Sequence, residues 1–232
     1  MKLENVFTMR IDNDSDVTET KAVFNPYKLI ICIGGIILFS YCFSFVRLAL
    51  ESKQQHKEKA QYQYQFSEIT DIREYLSAIN DSRYSILIGM KDEASRSLNQ
   101  YILDGLANLG LEISLEGRWF MSYIAVIDKG NLAYEAAGNN GNISYEELAA
   151  KAFVKHSGKL SDGSQYKIFS AAASAGRCSI IINGLEYSVN RRGLNFVVYD
   201  NITRTVIDSV CFDTWAETLD AVRLPPVSMI IF

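Results

Sequence analysis

At 232 residues the chain has room for one domain of ordinary size plus an appendage, and not for two large domains. Its 48% hydrophobic and 22% charged content is that of a folded protein, and a formal net charge of -4 argues against nucleic acid as a partner, because neutralising phosphates takes clustered Lys and Arg. The two histidines, His56 and His156, stand alone, with no Cys-x-x-Cys or His-x-x-x-His spacing to hold zinc; no metal and no cofactor is expected.

Residues 1–27 hold five acids and few large apolar side chains, and read as a disordered tail. Leu29 to Val46 then runs 18 positions without a charge, and Leu48 to Leu50 extend it past Arg47. As a helix this stretch just spans a bilayer. It lacks the short core and small-residue cleavage site of a signal peptide, and its all-round hydrophobicity leaves no polar face for a core helix, so 29–50 is expected to be an uncleaved, single-pass anchor in the cell membrane. Arg10, Lys21 and Lys28 before it, against Arg47, Lys53, Lys57 and Lys59 after it, lean toward a cytoplasmic C-terminal region. Residues 51–65 (ESKQQHKEKAQYQYQ) carry no apolar stripe and read as a solvated helical stalk.

A compact domain is expected over 66–220, followed by a C-terminal tail at 221–232. Ile69, Ile72, Tyr75, Leu76 and Ile79 fall at helical spacing over Glu68–Ile79, and Tyr84–Met90 (YSILIGM) reads as a buried strand. A second helix is expected over Ala94–Leu109, with Leu98, Ile102, Leu106 and Leu109 on one face and Gly110 as the left-handed stop. Phe120–Asp128 and Asn131–Ala137 suggest a hairpin turning at Lys129-Gly130. Beyond the loop at Gly138–Asn142, a short helix at Ser144–Val154 and an irregular stretch at Lys155–Gln165 are expected. Strands follow at Tyr166–Ala171, Cys178–Ile182, Leu185–Val189, Leu194–Tyr199 and Thr205–Phe212, with Asn183-Gly184 the strongest hairpin signal in the chain.

Two blocks carry a resemblance. ILIGMKDEASRSLNQYILDGLANLGL with SYIAVIDKG, and RRGLNFVVYDNITRTVIDSVCFDTW, together resemble the interleukin-like EMT inducer family, also called PANDER-like domains. That family includes cytokine-like secreted proteins and the stem domain of a Golgi N-acetylglucosaminyltransferase acting on O-mannose. Its Arg-Gly strand and Phe-Asp-x-Trp ending match Arg192, Gly193, Asn195, Phe212, Asp213 and Trp215; its acidic loop and helix end match Asp92, Glu93, Leu109 and Gly110. The Arg-Gly block comes last here and first in the animal members, as in a circular permutation, which close surface termini permit. The resemblance implies an α+β fold of two sheets with flanking helices behind the transmembrane helix, a C-terminal domain outside the cytoplasm, and a sugar site using Asp92 and Arg192. The family's Arg-Asp-x-Trp stretch is not kept: Phe120, Met121 and Tyr123 stand there, with Arg118 as a displaced substitute.

The residues themselves leave alternatives. Asp92 and Glu93, where a strand gives way to a helix, suit a helix cap or a ligand-facing carboxylate. Trp119 offers a stacking face for a pyranose or simple packing, and Cys178 and Cys211 suit either a disulfide or two buried thiols. Adjacent carboxylates cannot flank a scissile bond, and no nucleophile elbow or phosphate loop is present, so no catalytic residue is assigned. The expected function is a membrane-anchored, non-catalytic glycan- or glycoconjugate-binding module of the cell envelope, with Asp92, Glu93, Arg118, Trp119 and Arg192 as candidate ligand contacts. The alternative is a protein-interaction module that positions a membrane enzyme of envelope biosynthesis.

Overall fold

The computed structural model describes residues 26–138, 153–172 and 176–224, and divides into two compact units, Met1–Gln54 and Gln55–Phe232. In the first unit the described residues belong to helix α1 (Pro26–Ser67), which continues into the second. Ile36 to Leu50 expose their large apolar side chains by 52% to 76%, which a soluble core helix would not do. By length and composition α1 can cross a membrane, with the candidate span at Gly35–Lys57. Within it the hydroxyls of Ser40 and Ser44 donate to the carbonyls of Ile36 and Ser40 at 2.9 and 2.8 Å, pairing polar atoms that hydrocarbon would leave unpaired. The stretch expected as a stalk lies on the same helix.

Within the second unit, Phe66 is the first described residue to enter the core. Helix α2 (Ile72–Ile79) is shorter than expected because Asp71 caps it, accepting from the Arg73 amide at 2.7 Å. The hydrogen bond to the Arg73 guanidinium holds that carboxyl at about 2. Strand β1 (Tyr84–Lys91) and helix α3 (Gln100–Asn108) follow. α3 starts six residues later than the periodicity of 94–109 suggests, since tertiary contacts take the backbone groups an earlier turn would use: Ser97 N–H donates to Thr214 O at 2.9 Å, and Ala94 O accepts from Thr214 Oγ1 at 2.7 Å. Asn99 is the cap, and Gly110 stops the helix at φ 89°.

Strands β2 (Ser122–Asp128) and β3 (Asn131–Gly138) turn through Lys129 and Gly130, both at positive φ, as the hairpin signal requires. The helix expected at 144–154 lies mostly outside the described residues. Phe153–Lys159, the end of that helix and the start of the irregular stretch, is instead strand β4, antiparallel to β5 (Gln165–Ala171). Of its inward residues Val154, His156 and Gly158, only Val154 is a strong strand former, and the ladder to β5 holds the rest. Then come β6 (Arg177–Ile182), β7 (Leu185–Glu186), β8 (Gly193–Asp200), β9 (Thr205–Phe212) and β10 (Ala221–Arg223). β10 pairs with β9, and Arg223 on it donates to Ile69 O at 2.6 Å beside α2.

The ten strands of the described residues form one large curled sheet in a mixed α+β unit. β1 lies between β8, antiparallel along its full length from Tyr84↔Asp200 to Lys91↔Gly193, and β2. Past the end of β2 it also meets β5, at Lys91↔Ala171, and there the sheet curls over with β4, β6 and β7. The two resemblance blocks thus share one sheet. Ser170 sits at the junction, donating to Met90 O at 2.6 Å and accepting from Tyr123 N–H at 3.0 Å.

Alternation divides β1 and β8 between two cores. Ile86, Ile88, Met90, Phe196 and Val198 join Tyr75, Leu76, Ile79 and Ile102 of α2 and α3, whereas Leu87, Val197 and Tyr199 meet Tyr166, Ile168 and Ile180 of the curled-over strands. Cys178, in this second core, and Cys211 are both free and buried. Burial pushes the Cys178 thiol well up and Cys211 up to about 12.

Gly193 is needed where β8 starts. Its φ is 112°, and a Cβ there would stand 2.0 Å from Phe212 O. Gly193→Ala should therefore cost roughly 2–4 kcal/mol. Chemical denaturation would check this, and a loss below about 0.5 kcal/mol would mean that β8 and β9 separate easily.

Candidate functional site

The β1 and β8 register determines which side chains meet at the curled end of the sheet. Because Lys91 pairs with Gly193, the next residue of one strand, Asp92, and the preceding residue of the other, Arg192, are neighbours across the ladder. Asp92 is left-handed at φ 59°, which Asp tolerates better than most non-glycine residues, and its N–H reaches Ala171 O at 3.5 Å. Its half-buried carboxylate accepts no hydrogen bond from the described residues.

Arg192 is held on two sides. Its Nε and Nη2 donate to the two oxygens of Asp213 at 3.1 and 2.7 Å, and its guanidinium lies 4.2 Å from the centre of the Trp215 ring. The hydrogen bond to Asp213 raises Arg192 above its ordinary pKa, and the nearby Asp92 charge adds to this. Burial pushes the Asp213 carboxyl up, but the Arg192 fork and the amides of Ala216 and Trp215 outweigh it and leave Asp213 below the usual carboxylate range. Nη1 of Arg192 makes no hydrogen bond among the described residues.

Glu93 faces inward. Only 3% exposed, it accepts from Ser95 N–H and Oγ at 2.7 and 2.6 Å, and from the amide of Phe120. It caps no helix, since Asn99 does that for α3; it ties the acidic loop to the segment before β2. Trp119 and Arg118 sit on that segment, Trp119 being 58% exposed. Neither makes a hydrogen bond, ion pair or ring contact with Asp92 or Arg192 among the described residues. Asp92 and Arg192 are thus brought together, Glu93 supports their loop from beneath, and Arg118 and Trp119 flank it.

Three members of this cluster were not among the candidates drawn from sequence. Trp215 and Asp213 belong to the Phe-Asp-x-Trp ending, so the resemblance pointed to their place but not to their role. Arg96 lies in the stretch expected to be helical; with 94–99 non-helical, its guanidinium lies 4.8 Å from the Trp215 ring centre. Ser97 Oγ, donating to Trp215 O at 3.0 Å, ties the two segments together.

No family model, curated protein or solved structure matches the chain. What the cluster can do therefore follows from its chemistry: an unpaired carboxylate accepts hydroxyl protons, two guanidiniums donate, and an indole holds both guanidiniums in place.

The depressed pKa of Asp213 has a definite sign. Its contribution to stability is complete above the ordinary carboxylate range, near 4, and is lost as pH falls through its lower folded value. Asp213→Asn should thus lower the melting midpoint at pH 7, and the gap to wild type should narrow as pH falls below the ordinary carboxylate range. A gap that persists unchanged in acid would mean that the Arg192 pair is not its source.

Proposed function

We propose that the chain is a membrane-anchored, non-catalytic glycan-binding module of the cell envelope, with α1 as its single-pass anchor and residues 51–232 outside the cytoplasm. The observation that carries this reading is the open carboxylate of Asp92 beside the fixed guanidinium of Arg192. Adjacent sugar hydroxyls offer a donor and an acceptor side by side, and such bonds exchange well with water. The family resemblance supports the same pair, and with it the permuted order of the two blocks. The non-catalytic role is supported by Glu93, whose carboxylate is already taken up by Ser95 and Phe120 and cannot serve as the second member of an acid-base pair.

A second reading, a protein-interaction module that positions an envelope-biosynthesis enzyme, is favoured by a groove of about 340 Å³ between α2 and α3, lined by Leu76, Gly105 and the exposed Tyr101.

With the full chain in lipid nanodiscs on a glycan array, Asp92→Ala or Arg192→Ala should weaken binding by about 1–3 kcal/mol, the range for charged hydrogen bonds. Wild-type affinity in both variants would remove the glycan reading. A C-terminal reporter that is active only outside the cytoplasm should be active in cells; activity of a cytosolic reporter alone would reverse the topology.

A further inference from the structure

The cation opposite Asp92 is larger than a sugar hydroxyl needs. Arg192 spends Nε and Nη2 on Asp213, but Arg96 makes no ion pair and no side-chain hydrogen bond among the described residues, although its guanidinium lies over Trp215. A long, exposed side chain without a polar partner normally samples many rotamers. Here both chain neighbours of Arg96 are fixed: Ser95 by Glu93, and Ser97 by Thr214 O and Trp215 O. The stem of Arg96 therefore leaves a rigid turn, and the indole face attracts its charged end. The same ring holds Arg192 at 4.2 Å.

We propose that the ligand carries an oxyanion, a carboxylate, sulfate or phosphate on a sugar, which Arg96 and the free Nη1 of Arg192 bind across Trp215 while Asp92 accepts a neighbouring hydroxyl. This rests on the glycan reading and narrows it to acidic glycans. Guanidinium matches a two-oxygen anion by parallel N–H donors, and none of the Arg96 donors is hydrogen-bonded among the described residues. A guanidinium already held in place loses less freedom on binding. Neutral sugars would use Asp92 and Arg192 and leave Arg96 idle.

The test uses the full chain in nanodiscs of uncharged lipid on an array of neutral, uronate, sulfated and phosphorylated glycans, followed by titration of the best member of each class. At least one acidic class should bind tenfold or more tightly than its uncharged counterpart, made by carboxyl reduction or ester removal, and the class that does so identifies the oxyanion. Arg96→Gln should abolish that preference with the melting midpoint unchanged, and Arg96→Lys should restore only part of it. Binding of neutral and acidic glycans with equal affinity, or a preference that Arg96→Gln leaves intact, would overturn the proposal while the glycan reading stands. An array on which no class binds would remove both.

Discussion

Burial of β1 and β8 on both faces is the constraint on which the domain depends. A strand covered on one side can alternate polar and apolar residues, whereas these two present Ile88 and Phe196 to the helices and Leu87 and Val197 to the curled-over strands, all fully buried. At about 1.5–3 kcal/mol for each large apolar side chain removed from water, the pair contributes to both cores at once. The register is fixed by the same fact, because a slip by one residue would exchange every side chain between two differently shaped cores. Asp92 stands opposite Arg192 because of that register.

The parts of the fold that depend on local pattern were legible in the sequence. YSILIGM and LNFVVY are apolar runs too short for helices, and Lys129-Gly130 and Asn183-Gly184 adopt the positive φ values that two-residue hairpins need. Where partners far along the chain decide, the reading failed. β4 lacks a strand signature because its ladder to β5 supplies what its own residues do not. The start of α3 was placed too early because Leu98 has the right spacing, while Thr214, more than a hundred residues on, takes the backbone groups of the first turn.

The site divides in the same way. Asp92 and Arg192 stood out through the resemblance, and ladder geometry brings them together. Glu93 looked like their equal, yet one residue along the chain is enough to turn a side chain from the surface to the interior, and a buried carboxylate with three donors is a structural anchor. Arg96 could not be ranked from sequence at all, since its importance comes from Trp215, a residue brought near only by the return of β9.

Cys178 has a further consequence. Its sulfur rests over Gly89, where even a single added carbon would stand 2.6 Å from it, and burial keeps its thiol protonated. A reagent that alkylates thiols can reach this sulfur only when the curled-over strands lift from β1, so the pace of its labelling times how often that layer breathes. The protein thus carries its own clock for the opening of its second core, readable by mass without any engineered probe.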